Sequence, residues 1–141
     1  MKIFIACSKH FYDKVLPIKE ELEKNGHQIA FPNNFEDPFI EERLKGEDNK
    51  KHREWKAGML LKDKTNLEPV DAILVLNFEK NGEPNYIGGA TFLEAYKAWE
   101  LNKKIFLFND IPNNIFKDEL EGLNPVILKG DLSKIKNDTL D

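Results

Sequence analysis

Short apolar runs alternate along the chain with stretches of helical spacing. Lys2-Ile3-Phe4-Ile5-Ala6-Cys7 is apolar almost throughout, as in a strand covered on both faces, and Ser8-Lys9-His10 forms the turn at its carboxyl end. Val15, Ile18 and Leu22 then fall on one helical side, stopped by Asn25-Gly26; Pro17 places the true start of that helix after Phe11. His27 to Phe31 reads as a second strand ended by Pro32, and residues 33–46 as a polar loop or lid. A helix from Glu47 to Lys62 carries Trp55, Met59 and Asp63 on one stripe, and Pro69 closes the segment. Asp71 to Phe78 is a third buried strand, followed by a polar loop from Glu79 to Tyr86 and the pair Gly88-Gly89. Thr91 to Leu101 has helical spacing with Phe92, Ala95, Tyr96 and Trp99 on one side, predicted to face the core. Lys103-Lys104 precede a fourth strand, Ile105 to Phe108, and Asn109 to Asn114 form a turn-rich loop. Val126-Ile127-Leu128 is a short fifth strand ahead of a polar tail from Gly130 to Asp141.

This alternation predicts a single α/β domain over residues 1–141: a three-layer α/β/α sandwich on a parallel, five-stranded Rossmann- or flavodoxin-like sheet. In such sheets ligands bind beyond the carboxyl ends of the strands, and a helix amino terminus there favours an anion. The Gly88-Gly89 turn joins a strand to a helix at that edge and lets a ligand approach the backbone. Glu94 follows in what the spacing makes the first helical turn. Two readings of it follow. Thr91-Phe92-Leu93-Glu94 fits a capping box, and a carboxylate beside a ligand crevice fits catalysis. Asp63 has the same ambiguity, as a surface residue at a helix end or an inward group aimed at a site.

Charge and cysteine content narrow the functions. Net charge is −4, from 21 basic and 25 acidic residues among 141, which argues against a nucleic-acid coat and leaves room for a small phosphate pocket. The basic run Lys50-Lys51-His52-Arg53 reads as a solvated helix face. Cys7 is the only cysteine, so no internal disulfide forms, and its place at a strand end is one of packing. No apolar run approaches the roughly 18 residues that span a bilayer, and no signal-peptide pattern opens the chain; the expected setting is cytoplasmic, without membrane contact. His10, His27 and His52 lack metal-site spacing, and Walker, serine-elbow and dinucleotide fingerprints are absent, which leaves the carboxylates.

The turn Cys7-Ser8-Lys9-His10, the pair Asp63 and Asp71 eight residues apart, and a glycine loop leading to helix-borne Glu94 together resemble the nucleoside 2-deoxyribosyltransferase superfamily. That superfamily includes deoxyribosyltransferases and nucleoside 5′-monophosphate N-glycosidases, and the likeness runs from Ile3 to Leu128. The run Tyr86-Ile87-Gly88-Gly89 with Lys103 to Leu107 is similar to a small branch of it. The resemblance implies that Glu94 is the nucleophile that forms a glycosyl-enzyme intermediate and that Asp63 positions substrate and shuttles protons. Ser8 matches a phosphate-holding serine, His10 stands where that group has arginine, and Gly88 stands where it has a serine or, in the transferases, an aspartate. Asp71 joins the substrate-binding set with Gly88 and Gly89, more as a strand support than a substrate contact. The resemblance also implies a nucleoside or nucleotide substrate, no cofactor or metal, and a homodimer.

The chemistry requires such a pair: one carboxylate stabilises and traps an oxocarbenium-like sugar while a second acid protonates the departing base. The helix terminus is expected to keep Glu94 ionised at neutral pH, and Asp63 to hold its proton longer. Two other readings compete. Gly-Gly-x-Thr-x-x-Glu from Gly88 is similar to part of the motif of lysine-decarboxylase-like phosphoribohydrolases, without their additional glycine and arginine. The lack of a polar side chain at Gly88 and the unusual 33–46 loop suit a nucleotide-binding sensor or regulatory module without turnover.

Overall fold

The apolar runs become β1 (Lys2–Ala6), β2 (Gln28–Ala30), β3 (Ala72–Val75), β4 (Lys104–Leu107) and β5 (Val126–Ile127), each within one or two residues of its expected start. The computed structural model describes residues 1–137, in which these strands form one all-parallel sheet in the order β2-β1-β3-β4-β5. This is the Rossmann-like, flavodoxin-type order, and its strand sequence reverses direction between β1 and β3. Alternating side chains of the inner strands feed two cores. Ile3, Ile5, Ala72, Leu74 and Phe106 pack under α1 (Val15–Lys24), which buries Val15, Ile18 and Leu22 as its spacing required. Phe4, Ala6, Ile73, Val75, Ile105 and Leu107 face the other way, toward α3 (Asn49–Leu67), α4 (Gly89–Glu100) and α5 (Lys117–Gly122).

The start of α1 after Phe11 holds, and other expectations change. A 3₁₀ segment, Lys9–Lys14, precedes α1, and Pro17 then sits in the first turn of the helix, where its missing N–H costs no hydrogen bond. The stretch read as loop contains α2 (Ile40–Glu47), which buries none of its residues, so no apolar stripe announced it. Helix α3 runs to Leu67, capped by the Asp48 carboxylate accepting from the Lys50 amide at 2.8 Å, so Asp63 lies within the helix rather than at its end.

The inward stripe of α4 is Thr91, Glu94, Ala95 and Ala98, not the aromatic one. Two alanines without exposed area let this helix lie close to the sheet. That close approach turns Tyr96 and Trp99 outward, 41% and 49% exposed, while Phe92 stacks on Phe116 with ring centres 4.6 Å apart.

The tail from Gly130 is not simply polar. Leu132 and Ile135 are buried against the α1-side core, and the Ile135 carbonyl lies 3.3 Å from His27 Nε2. Residues 138–141 of that tail lie outside the described residues. Among the described residues no helix is long and apolar enough to cross a membrane.

Candidate active site

A cavity of about 420 Å³ opens where the strand order reverses, beyond the carboxyl ends of β1 and β3. The β1 turn supplies Cys7, Ser8 and His10; α2 supplies Ile40 and Glu41; α3 supplies Trp55, Lys56, Met59 and Asp63; the start of α4 supplies Gly88, Gly89, Thr91 and Glu94. Six of the seven anticipated site residues, Ser8, His10, Asp63, Gly88, Gly89 and Glu94, therefore line one hollow. Asp71 does not. It precedes β3 at the opposite edge of the sheet, where its Oδ2 accepts from the Lys2 amide at 2.7 Å, so it ties strand starts together and is corrected to a structural residue.

Glu94 and Asp63 are 9% and 6% exposed, and neither makes a hydrogen bond within the described residues. The capping reading of Glu94 fails on geometry. Helix α4 begins at Gly89 with Gly88 as its cap residue and no side-chain cap bond, which puts Thr91 inside the helix and Glu94 in the second turn. Both acids are thus held without a structural partner. Burial and the nearby Asp63 charge push the Glu94 carboxyl up to about 8, against a partial pull down from Lys56. Burial raises Asp63 to about 6, with Lys97 and Lys56 opposing. This inverts the anticipated order. Glu94 is too strongly desolvated, and too far past the helix start, for the terminal dipole to keep it ionised. At neutral pH burial favours the protonated form of Glu94 more than that of Asp63.

No protein-family model, curated protein or solved structure matches the chain.

The rest of the lining divides into a cationic mouth and an apolar wall. Lys80 Nζ lies 4.4 Å from the Tyr86 ring centre and 3.4 Å from its hydroxyl, held by a small hairpin pairing Lys80 with Glu83. Partial burial, with Lys80 and Lys9 nearby, lowers the His10 pKa below the usual imidazole value. Next to them the first amides of α4 have no capping side chain. A Cβ at Gly88 would stand 3.1 Å from the Tyr86 hydroxyl, so the glycine lets the phenol fold over the helix start; its φ of −84° is ordinary, and conformational freedom is not the reason for it. Elsewhere in the lining, Trp55, Met59 and Ile40 give apolar surface. Tyr12 closes another side, its hydroxyl donating to the Asn33 carbonyl at 2.6 Å.

Burial pushes the Cys7 thiol well above its usual pKa, and the Glu94 charge adds to this, so it is no nucleophile at neutral pH. Among the described residues no cluster of three or more His, Cys, Asp or Glu side chains is arranged to hold a metal ion.

Lys80, Tyr86, Tyr12 and Lys56 were missed from the sequence. Lys56 carried a signal, seven residues before Asp63 and so two helical turns along the same face. Lys80 carried none, because the hairpin that aims it has no apolar pattern.

Proposed function

We propose that the chain cleaves or transfers the N-glycosidic bond of a nucleoside or nucleoside 5′-monophosphate. The observation that carries this reading is the buried acid pair, Glu94 and Asp63, without structural partners and with one proton between them in a cavity about 420 Å³ in volume. A base packs against Trp55, Met59 and Ile40. A sugar 5′-substituent then points toward Ser8, His10, Lys80 and the amides of α4, a setting that favours phosphate.

Burial favours the proton on Glu94, so the first event on this reading is transfer of that proton to Asp63 as the sugar enters. Ionised Glu94 attacks the anomeric carbon, the bond from that carbon to the base nitrogen breaks, and Asp63 gives its proton to the leaving nitrogen. Asp63, now ionised, takes a proton from water, or from an incoming base in a transferase, as the acceptor attacks and releases Glu94. Neither step requires a metal or cofactor. A homodimer belongs to the same reading, supported by the exposed strip of Leu93, Tyr96 and Trp99 on the outer side of α4.

The test is base release from a panel of nucleosides and their 5′-monophosphates, by the parent protein and by Glu94→Gln, which keeps the size of the side chain and removes the nucleophile. Release should fall at least about a thousandfold in the variant. An unchanged rate overturns the mechanism. Tight binding by calorimetry with no release by the parent replaces the enzyme with a nucleotide sensor.

A further inference from the structure

Lys56 stands among three carboxylates. Its Nζ lies 3.2 Å from Glu41 Oε2, which links α3 to the α2 wall, and its side chain lines the same cavity as Asp63 and Glu94. The ammonium is 5.7 Å from the centre of the Trp55 ring, and about a third of the side chain remains open to solvent, so the group has room to move between Glu41 and the pair. Glu41 also meets His52 Nε2 at 2.9 Å. Burial raises the Glu41 carboxyl, but His52 and Lys56 outweigh it and hold the group below the usual carboxylate range.

The other charged or titratable groups that line this cavity or act on the acid pair are Glu42 and Lys45 from α2, Asp63 from α3, Glu94 and Lys97 from α4, Cys7 just after β1, Lys9, His10 and Tyr12 in the 3₁₀ segment, and Lys80 and Tyr86 after β3. Among the described residues, Lys97 and Lys56 act on Asp63, and Lys56 alone of these also acts on Glu94. Lys97 acts on Asp63 and is engaged with Glu100 at 2.7 Å.

We infer that Lys56 is a positioning residue shared between Glu41 and the Asp63–Glu94 pair, so that Glu41 on the α2 wall governs, through the lysine, which protonation state the pair adopts. Held by Glu41, the ammonium is drawn off the pair, and the pair keeps its proton. Released, it moves toward the two carboxyls and favours their ionised forms, since opposite charge at close range stabilises a carboxylate. The importance of this control rests on the proposed reading of the pair as the reacting groups. The linkage itself does not depend on it.

Carbon-detected NMR titration of the Glu and Asp side-chain carboxyls tests it without substrate, on the full chain. Lys56→Gln should raise both apparent pKa values of the pair by about one unit, and Lys56→Arg should restore them. Glu41→Gln should lower both by a similar amount when Lys56 is present and by less than half as much in the Glu41→Gln/Lys56→Gln double variant. His52 is present in both backgrounds, so its contribution cancels. An equal Glu41→Gln shift with and without Lys56 overturns the inference, because Glu41 then acts by its own field alone. So does a Lys56→Gln titration that matches the parent. If no substrate is turned over, the N-glycosidase reading fails while the titrations still decide the linkage. If base is released, the acid and alkaline limbs of its pH profile should move with the Lys56→Gln titration.

Discussion

Glu94 and Asp63 differ by their surroundings more than by their chemistry. Glu94, the more heavily desolvated, sits near 8 and Asp63 near 6, so between those values the pair carries one proton, below them two, above them none. Base release needs that single proton: with two there is no ionised nucleophile, and with none there is no acid for the departing base. For the parent protein, kcat/KM against pH should therefore be bell-shaped, with a plateau between about 6 and about 8 and about a tenfold loss per pH unit beyond each limb. A profile flat from pH 5 to pH 9 would remove the pair from the chemistry. The sequence singled out both acids, Asp63 on the stripe with Trp55 and Met59 and Glu94 after the glycine turn, but spacing left a structural reading open for each, and only the family resemblance chose the chemical one. It did not reveal which holds the proton, because that depends on a helix start at Gly89 rather than Thr91 and on how completely protein desolvates each carboxyl, neither of which leaves a mark in spacing.

Among the elements, the five strands and α1 were legible because their apolar periodicity is strong, whereas α2 was not, since a helix that buries nothing has no stripe to read. The carboxyl edge of the sheet also depends on a residue that no pattern marks. Asn77, fully buried just past β3, donates to the Asn109 and Asp110 carbonyls at 3.1 and 2.9 Å and accepts from the Asn109 amide at 2.8 Å. It fastens the loops after β3 and β4 side by side, close to the turn that leads to Gly88. Asn77→Ala strands those backbone groups and should cost about 2–3 kcal/mol in urea denaturation. Asn77→Asp keeps the acceptor but sets a carboxylate against two carbonyl oxygens, and should be no more stable than the alanine variant at pH 7. Either variant matching the parent would show that the loops hold without the amide.

For the whole molecule, composition and alternation were enough to give the layered fold, while the outer surface of α4 was misread, because aromatic residues at helical spacing look alike whether they face a core or a partner. Leu93, Tyr96 and Trp99 each leave 41% or more of their area open. If the proposed homodimer uses this strip, the parent should sediment as a dimer and Trp99→Glu as a monomer, with the parent's far-ultraviolet circular dichroism unchanged. A variant that remains dimeric places the contact elsewhere.

The sheet itself is assembled out of order. Strand β1 is paired on one side by the nearby β2 and on the other by β3, with Ile3 opposite Ala72, so its central seam joins segments far apart in the chain. During synthesis the first strand waits with one edge bare while α2 and α3 emerge from the ribosome. Closure of that seam is a long-range pairing, of the kind that forms slowly, and the carboxyl ends it brings together lie beneath both acids.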